Sequence, residues 1–174
     1  MTDNKTMRKE VISILVDNQA NVLTRVSSLF GRRGFNIDSL TVSATNDPNL
    51  SRITVVFQGT EQALHQILTQ TAKLEVVKNI TPLDKKNSIY RELLLIKLKA
   101  DKNERSAIRE IVEIYRGKID DLSKTSMIVE LTGNSEKIDG FMDIISCYDI
   151  LEVCRTGVTG ISRVPEALVD DIDD

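Results

Sequence analysis

The chain has one histidine, two cysteines, three prolines and no tryptophan among its 174 residues. Zinc sites draw on several cysteine and histidine ligands, and Ser-His-Asp chemistry needs a histidine beside its nucleophile. His65 stands between Leu64 and Ile67 on the rim of a helical pattern, so neither arrangement has raw material. Cys147 and Cys154 fall on a helix end and in a strand pattern and read as two reduced core thiols. Four phenylalanines and three tyrosines are too few for the stacking platforms of RNA-binding sheets, and a net charge of −3 supplies no field for a phosphate backbone. The apolar run around Ile12-Ser13-Ile14-Leu15-Val16 is far shorter than a membrane span of about 20 residues. Met1 to Glu10 mixes acids and bases without the apolar segment of a signal peptide, so the expected location is the cytoplasm.

What is present is a repeat. Phe30-Gly31-Arg32-Arg33-Gly34-Phe35-Asn36-Ile37-Asp38-Ser39-Leu40 returns, thinned, as Tyr115-Arg116-Gly117-Lys118-Ile119-Asp120-Asp121-Leu122. Ile53 to Thr60 is answered by Met127 to Asn134. Two copies of a strand-helix-strand-strand-helix-strand module account for nearly everything between Glu10 and Val164. Modules of this size bury only about 60% of their unfolded surface, which favours an oligomer.

Val11 to Val16 is a β-branched apolar run and reads as a central strand. Val22, Leu23, Val26, Leu29 and Phe30 recur at helical spacing, with Arg32 and Arg33 at the negative end of the dipole and Gly34 as the left-handed stop. Leu40, Val42 and Ala44 alternate in a second strand, which turns through Asn46-Asp47-Pro48-Asn49 into a third from Arg52 to Gln58. Thr60 caps a helix facing inward through Leu64, Ile67 and Leu68, and Val76-Val77 opens a fourth strand. The fold class is α+β: two tandem ferredoxin-like βαββαβ modules with strand order 4-1-3-2. In the second module, Ile108, Ile111, Val112 and Tyr115 mark a helix stopped by Gly117, and Ile138, Phe141, Met142 and Ile145 mark one capped by Asn134 or Ser135. Its strands are Arg91 to Ala100, Lys118 to Leu122, Ser126 to Thr132 and Ile150 to Arg155, with Gly157 and Gly160 as bends. The domains expected are a tail over 1–9, a first module over 10–82, a linker over 83–90, a second domain over 91–164 and an acidic tail over 165–174.

The loop after the first strand is the candidate ligand site. First-turn amides of a helix lack intrahelical partners and suit a carboxylate. Val22 and Leu23 could meet a small branched side chain, and Asn18, Asn21 and Asn36 could accept from an ammonium. Those asparagines could equally do no more than cap and turn the chain.

Leu15 to Val26, Leu29 to Val42 and Asp47-Pro48-Asn49-Leu50-Ser51-Arg52 resemble the small regulatory subunit of acetolactate synthase (acetohydroxyacid synthase). Arg91 to Lys97, Tyr115-Arg116-Gly117 and Arg155-Thr156-Gly157-Val158-Thr159-Gly160-Ile161-Ser162-Arg163 extend the resemblance through the second half. It implies an N-terminal ACT domain and an ACT-like C-terminal domain. It also implies a homodimer through the ACT domains, with a branched-chain amino acid, usually valine, at their interface. Asn18, Gln19, Ala20, Asn21, Val22 and Leu23 of one chain would receive the carboxylate, and Asn36 and Ile37 of the neighbour would complete the pocket. The implied partner is a separate catalytic subunit carrying thiamine diphosphate, magnesium and FAD. This chain would activate it and convey valine feedback inhibition, without cofactor, metal or catalytic residues of its own. Valine-sensitive members of the family place a glycine where this chain has Asn21, so the resemblance also implies weakened inhibition.

Two other readings start from the same fold. One is a stand-alone ACT-domain sensor of amino acids controlling another enzyme or transcription, against which stand the full-length resemblance and the lack of a DNA-binding segment. The other is an acyl phosphate hydrolase, which would need a cation in the first loop; Asp17 to Asn21 has none, and Arg25 falls a turn too far on.

Overall fold

The structure is a computed structural model and describes residues 6–164. β1 (Arg8–Asp17), α1 (Val22–Arg32), β2 (Ile37–Ala44), β3 (Leu50–Gly59), α2 (Glu61–Thr71) and β4 (Val77–Pro82) make one βαββαβ module. β5 (Ser88–Lys99), α3 (Arg105–Ile114), β6 (Lys118–Leu122), β7 (Ser126–Gly133), α4 (Ser135–Ile145) and β8 (Ile150–Arg155) make a second, and β9 (Thr159–Ser162) follows. The antiparallel sheets run β2-β3-β1-β4 and β6-β7-β5-β8, the order that the repeat predicts.

Alternation explains each core. Ile12, Ile14 and Val16 of β1 and Ile53, Val55 and Phe57 of β3 point to one face, where Val22, Val26, Leu29 and Phe30 of α1 and Ile67 of α2 close over them. Phe30 meets Phe57 edge-on at 5.5 Å. In the second module Leu94, Ile96 and Leu98 pack with Ile108, Val112, Ile138, Phe141 and Ile145, and Tyr115 meets Phe141 edge-on at 5.4 Å.

Several sequence expectations need correction. β1 starts at Arg8, inside the expected tail, because β3 is long enough for Gly59 to pair with Arg8. β5 starts at Ser88, inside the expected linker. Leu23 is 44% exposed, and Val42 sits exposed on the edge strand β2. Both cysteines are exposed rather than core thiols. The expected acidic tail lies outside the described residues.

The stop of α3 is also different. Gly34 does take the left-handed backbone after α1, at φ 72°, but after α3 that role falls to Arg116, at φ 55°. Gly117 is needed for space: a Cβ there would stand 3.0 Å from the carbonyl oxygen of Glu130 and 3.1 Å from Val112 Cγ1. Gly117→Ala should therefore destabilise by about 1–3 kcal/mol through overpacking. Arg116→Gly, which removes left-handed strain, should be neutral or gain up to about 1 kcal/mol. Denaturant midpoints of the two variants would show the opposite signs.

β9 was not legible as a strand. By contacts the chain forms one unit that runs to Ile89 and resumes at Val158, and another over Tyr90–Gly157. In the first, the sheet face turned away from the helices is also buried: Val56 is fully covered, and Ser13 and Thr54 are 2% exposed. Ser39 pairs with Val56 and so points to that same back face. The Val158 N–H donates to Ser39 Oγ at 3.2 Å, and Val158 is itself buried, which sets it against the back of the sheet. Arg163 N–H then donates to the Asn87 carbonyl at 2.7 Å.

Candidate functional site

The loop between β1 and α1 is pinned at its base. Asp17 N–H donates to the Val76 carbonyl at 2.9 Å, and the Asp17 carboxylate meets Lys78 Nζ at 3.0 Å. Asn18 reaches across to the β2–β3 turn, its N–H donating to the Asn49 carbonyl at 2.7 Å and its side-chain amide to the Pro48 carbonyl at 2.9 Å. Asp47 Oδ1 holds that turn by accepting from the Asn49 N–H at 2.9 Å, and Arg52 donates to Ser13 at 2.8 Å. The two sequence motifs, Leu15 to Val26 and Asp47 to Arg52, are thus one physical object.

Above this base the chain enters α1 through Asn21 at φ 67°, ψ 1°, a left-handed conformation that asparagine tolerates and glycine adopts freely. Asn21 makes no side-chain cap bond, and the first helical bond recorded there is Arg25 N–H to the Asn21 carbonyl at 3.0 Å. α2 and α4 differ: Thr60 accepts from Ala63 N–H, and Asn134 from Lys137 N–H. The amides of Val22, Leu23 and Thr24 therefore open α1 without a side-chain acceptor, at its positive end. Gln19 and Ala20 are exposed, Val22 belongs to the core, and Leu23 offers an exposed aliphatic side chain.

Asn36 and Ile37 are at the other end of the sheet. Ile37 pairs with Phe57, whereas Asp17, just before the loop, pairs with Leu50. Seven residues of β3 separate these levels, about 23 Å. One chain does not bring the two halves of the expected site together. Asn36 is exposed, and Ile37 packs at the margin of the core, at the start of the edge strand. A register shift in β2 between Ile37 and Ser39 follows at once.

In the second unit Arg155 stands at the centre of an ion cluster. Arg155 Nε donates to Glu92 at 2.5 Å and its Nη1 to Asp139 at 2.6 Å, and Ser135 Oγ donates to the other Glu92 oxygen. Burial of the Arg155 guanidinium opposes its charge, yet the bonds from Glu92 and Asp139 outweigh this and raise its pKa above the ordinary arginine value. Among the described residues no group of three His, Cys, Asp or Glu side chains is placed to hold a metal ion. Among those residues, too, no helix is long and apolar enough to cross a membrane.

Residues 12–79 match the family model described as the acetolactate synthase (AHAS) small subunit-like ACT domain, and residues 91–164 match that of the small subunit of acetolactate synthase. The acetolactate synthase small subunit of Mycolicibacterium smegmatis is 42% identical over 157 residues, covering 90% of this chain and 92% of that protein. This chain belongs to the acetolactate synthase small-subunit family. The isozyme 3 small subunit of Salmonella typhimurium is 40% identical over 89% of this chain and 96% of its own. The crystal structure of the small subunit from Thermotoga maritima superposes with a TM-score of 0.85 at 38% identity, covering 91% of this chain and 99% of that one. A small subunit implies a catalytic partner, and the N-terminal module of this one is its ACT regulatory domain.

Proposed function

We propose that this small subunit binds a branched-chain amino acid, valine first among them, between the ACT domains of two copies, and through it regulates the acetolactate synthase catalytic subunit. The observation that carries the reading is the start of α1, where first-turn amides meet no side-chain cap and a left-handed residue turns the loop around them. A zwitterion would set its carboxylate on these amides and its aliphatic end against Leu23. The 23 Å between the two halves of the site favours a pocket completed by Asn36 and Ile37 of a second copy. Thiamine diphosphate, magnesium and FAD belong to the catalytic subunit in this reading, and acetolactate forms there. The small subunit raises that activity when free of effector and lowers it when valine is bound.

Asn21 is where this chain departs from valine-sensitive relatives. Its backbone is the one a glycine would take, so the loop keeps its path. In this reading a side chain at that position competes with the effector carboxylate for space at the helix start, and weaker valine inhibition follows. The test is the reconstituted complex, assayed for acetolactate formation with and without this chain and titrated with valine. Stimulation is expected, with Asn21→Gly lowering the half-inhibitory valine concentration by about tenfold. No stimulation defeats the regulatory reading, and equal, strong inhibition in both proteins defeats the role of Asn21.

A further inference from the structure

Two hollows lie side by side on the ACT-domain unit, between α1 and α2. One, of about 470 Å³, is lined by Leu29, Arg32, Arg33, Gln70, Lys73 and Leu74. The other, of about 280 Å³, shares Arg32 and Leu74 and reaches back through Arg25 to Asn21. Sharing two lining residues makes them one groove along α1, from the residue that opens the helix to those that close it. Its charge is of one sign. Arg25, Arg32, Arg33 and Lys73 are all exposed, and no carboxylate is among the described residues that line either hollow. Elsewhere in the unit Arg8 is paired with Glu10 and Lys78 with Asp17, whereas these four cations form no ion pair among the described residues. In a chain of net charge −3 this is a local reversal of sign.

Helix electrostatics explain part of it. Arg32 is in the last turn of α1 and Arg33 caps it, where a cation offsets the negative end of the dipole. Arg25 is the fourth residue of the same helix, near its positive end, where a cation is disfavoured. The arrangement also selects between occupants. A small phosphate-bearing ligand would have to sink between the carbonyl ends of α1 and α2, which line the larger hollow and oppose an anion. A protein surface instead brings its carboxylates to the tips of the long side chains, and its apolar groups to the floor formed by Leu29 and Leu74. The family supplies such a partner, since a small subunit implies a catalytic one.

Resting on the reading above that this chain joins the catalytic subunit, we propose that the groove between α1 and α2 is a docking surface for it, with carboxylates of the catalytic subunit set against Arg25, Arg32, Arg33 and Lys73 and an aliphatic side chain over Leu29 and Leu74. Asn21 lines the same groove, so an effector held at the start of α1 would lie at the edge of this interface.

Association of the full chain with the purified catalytic subunit, followed by calorimetry at two salt concentrations, tests it. Arg32→Gln with Lys73→Gln is expected to weaken binding about fivefold at about 50 mM salt, and the difference from wild type is expected to shrink to within about twofold at about 500 mM, where exposed charges are screened. Lys102→Gln with Lys124→Gln changes the net charge equally but in the other unit, and is expected to bind as wild type does. A groove variant that binds like wild type at low salt overturns the proposal. So does a loss that stays the same at high salt, which marks a folding defect, or an equal loss in the second-unit variant, which makes net charge alone the cause. Weaker self-association of the groove variant, with binding to the catalytic subunit unchanged, assigns the groove to a second copy and overturns it too. A wild-type chain that does not bind the catalytic subunit defeats the reading on which the groove rests, and the groove falls with it.

Discussion

Phe57→Ala is expected to lower the stability of the ACT-domain unit by about 3–5 kcal/mol, the usual cost of emptying a fully buried aromatic site. Phe57 is completely covered and meets Phe30 edge-on at 5.5 Å and Phe35 at 6.0 Å, so its removal leaves two rings without a partner as well as a cavity. It also pairs with Ile37, which makes it the floor beneath the start of β2. Because a domain of this size shifts by about 4–8 °C per kcal/mol, the melting transition of that unit should fall by on the order of 20 °C. Phe57→Leu, which keeps most of the volume, should recover more than half of the loss. Differential scanning calorimetry would check both, and a Phe57→Ala transition within 3 °C of wild type, roughly the shift of a surface change, would contradict the packing described.

Arg155→Ala should cost the second unit about 2–4 kcal/mol. Glu92 is 5% exposed, and removing its cation leaves a buried carboxylate that keeps the Ser135 hydroxyl as a donor but has lost its counter-charge. The Arg155 side chain is 32% exposed, so part of the penalty is screened by solvent, which places the value below that of a fully buried pair. Arg155→Ala combined with Glu92→Met should recover most of the stability, since the buried charge goes with its partner. Chemical denaturation of the two proteins decides the matter: a double variant no more stable than the single one would show that the cost lies in lost packing of the arginine stem.

Most of the fold was written in local patterns. Period-two runs such as Ile12, Ile14 and Val16, period-3.6 runs such as Val22, Val26, Leu29 and Phe30, and the cap at Thr60 each depend on neighbours in sequence, and their recurrence in the second half supplied the topology. What stayed hidden depends on partners far along the chain. The four residues of β9 are too few to announce a strand, and their partner, β5, lies far earlier in the chain. Gly117 looks like a helix stop by position, but only the approach of the Glu130 carbonyl reveals why a side chain is excluded there. For the site, residues of the right type in the loop Asn18 to Leu23 were visible in the sequence. The bonds from Asn18 to Pro48 and Asn49, which turn two separate motifs into one framework, were not.

The ACT-domain unit is discontinuous, opened at Ile89 and closed only from Val158 onward. A ribosome makes the chain from its amino end, and amino-terminal domains commonly fold while the remainder is still being synthesised. Here β1 to β4 emerge early, but Val158, whose N–H donates to Ser39 on the back of their sheet, is added only after the whole second unit has been made. Until then the Ser39 hydroxyl lacks the amide that donates to it, and a fragment cut after Ile89 would never gain that bond.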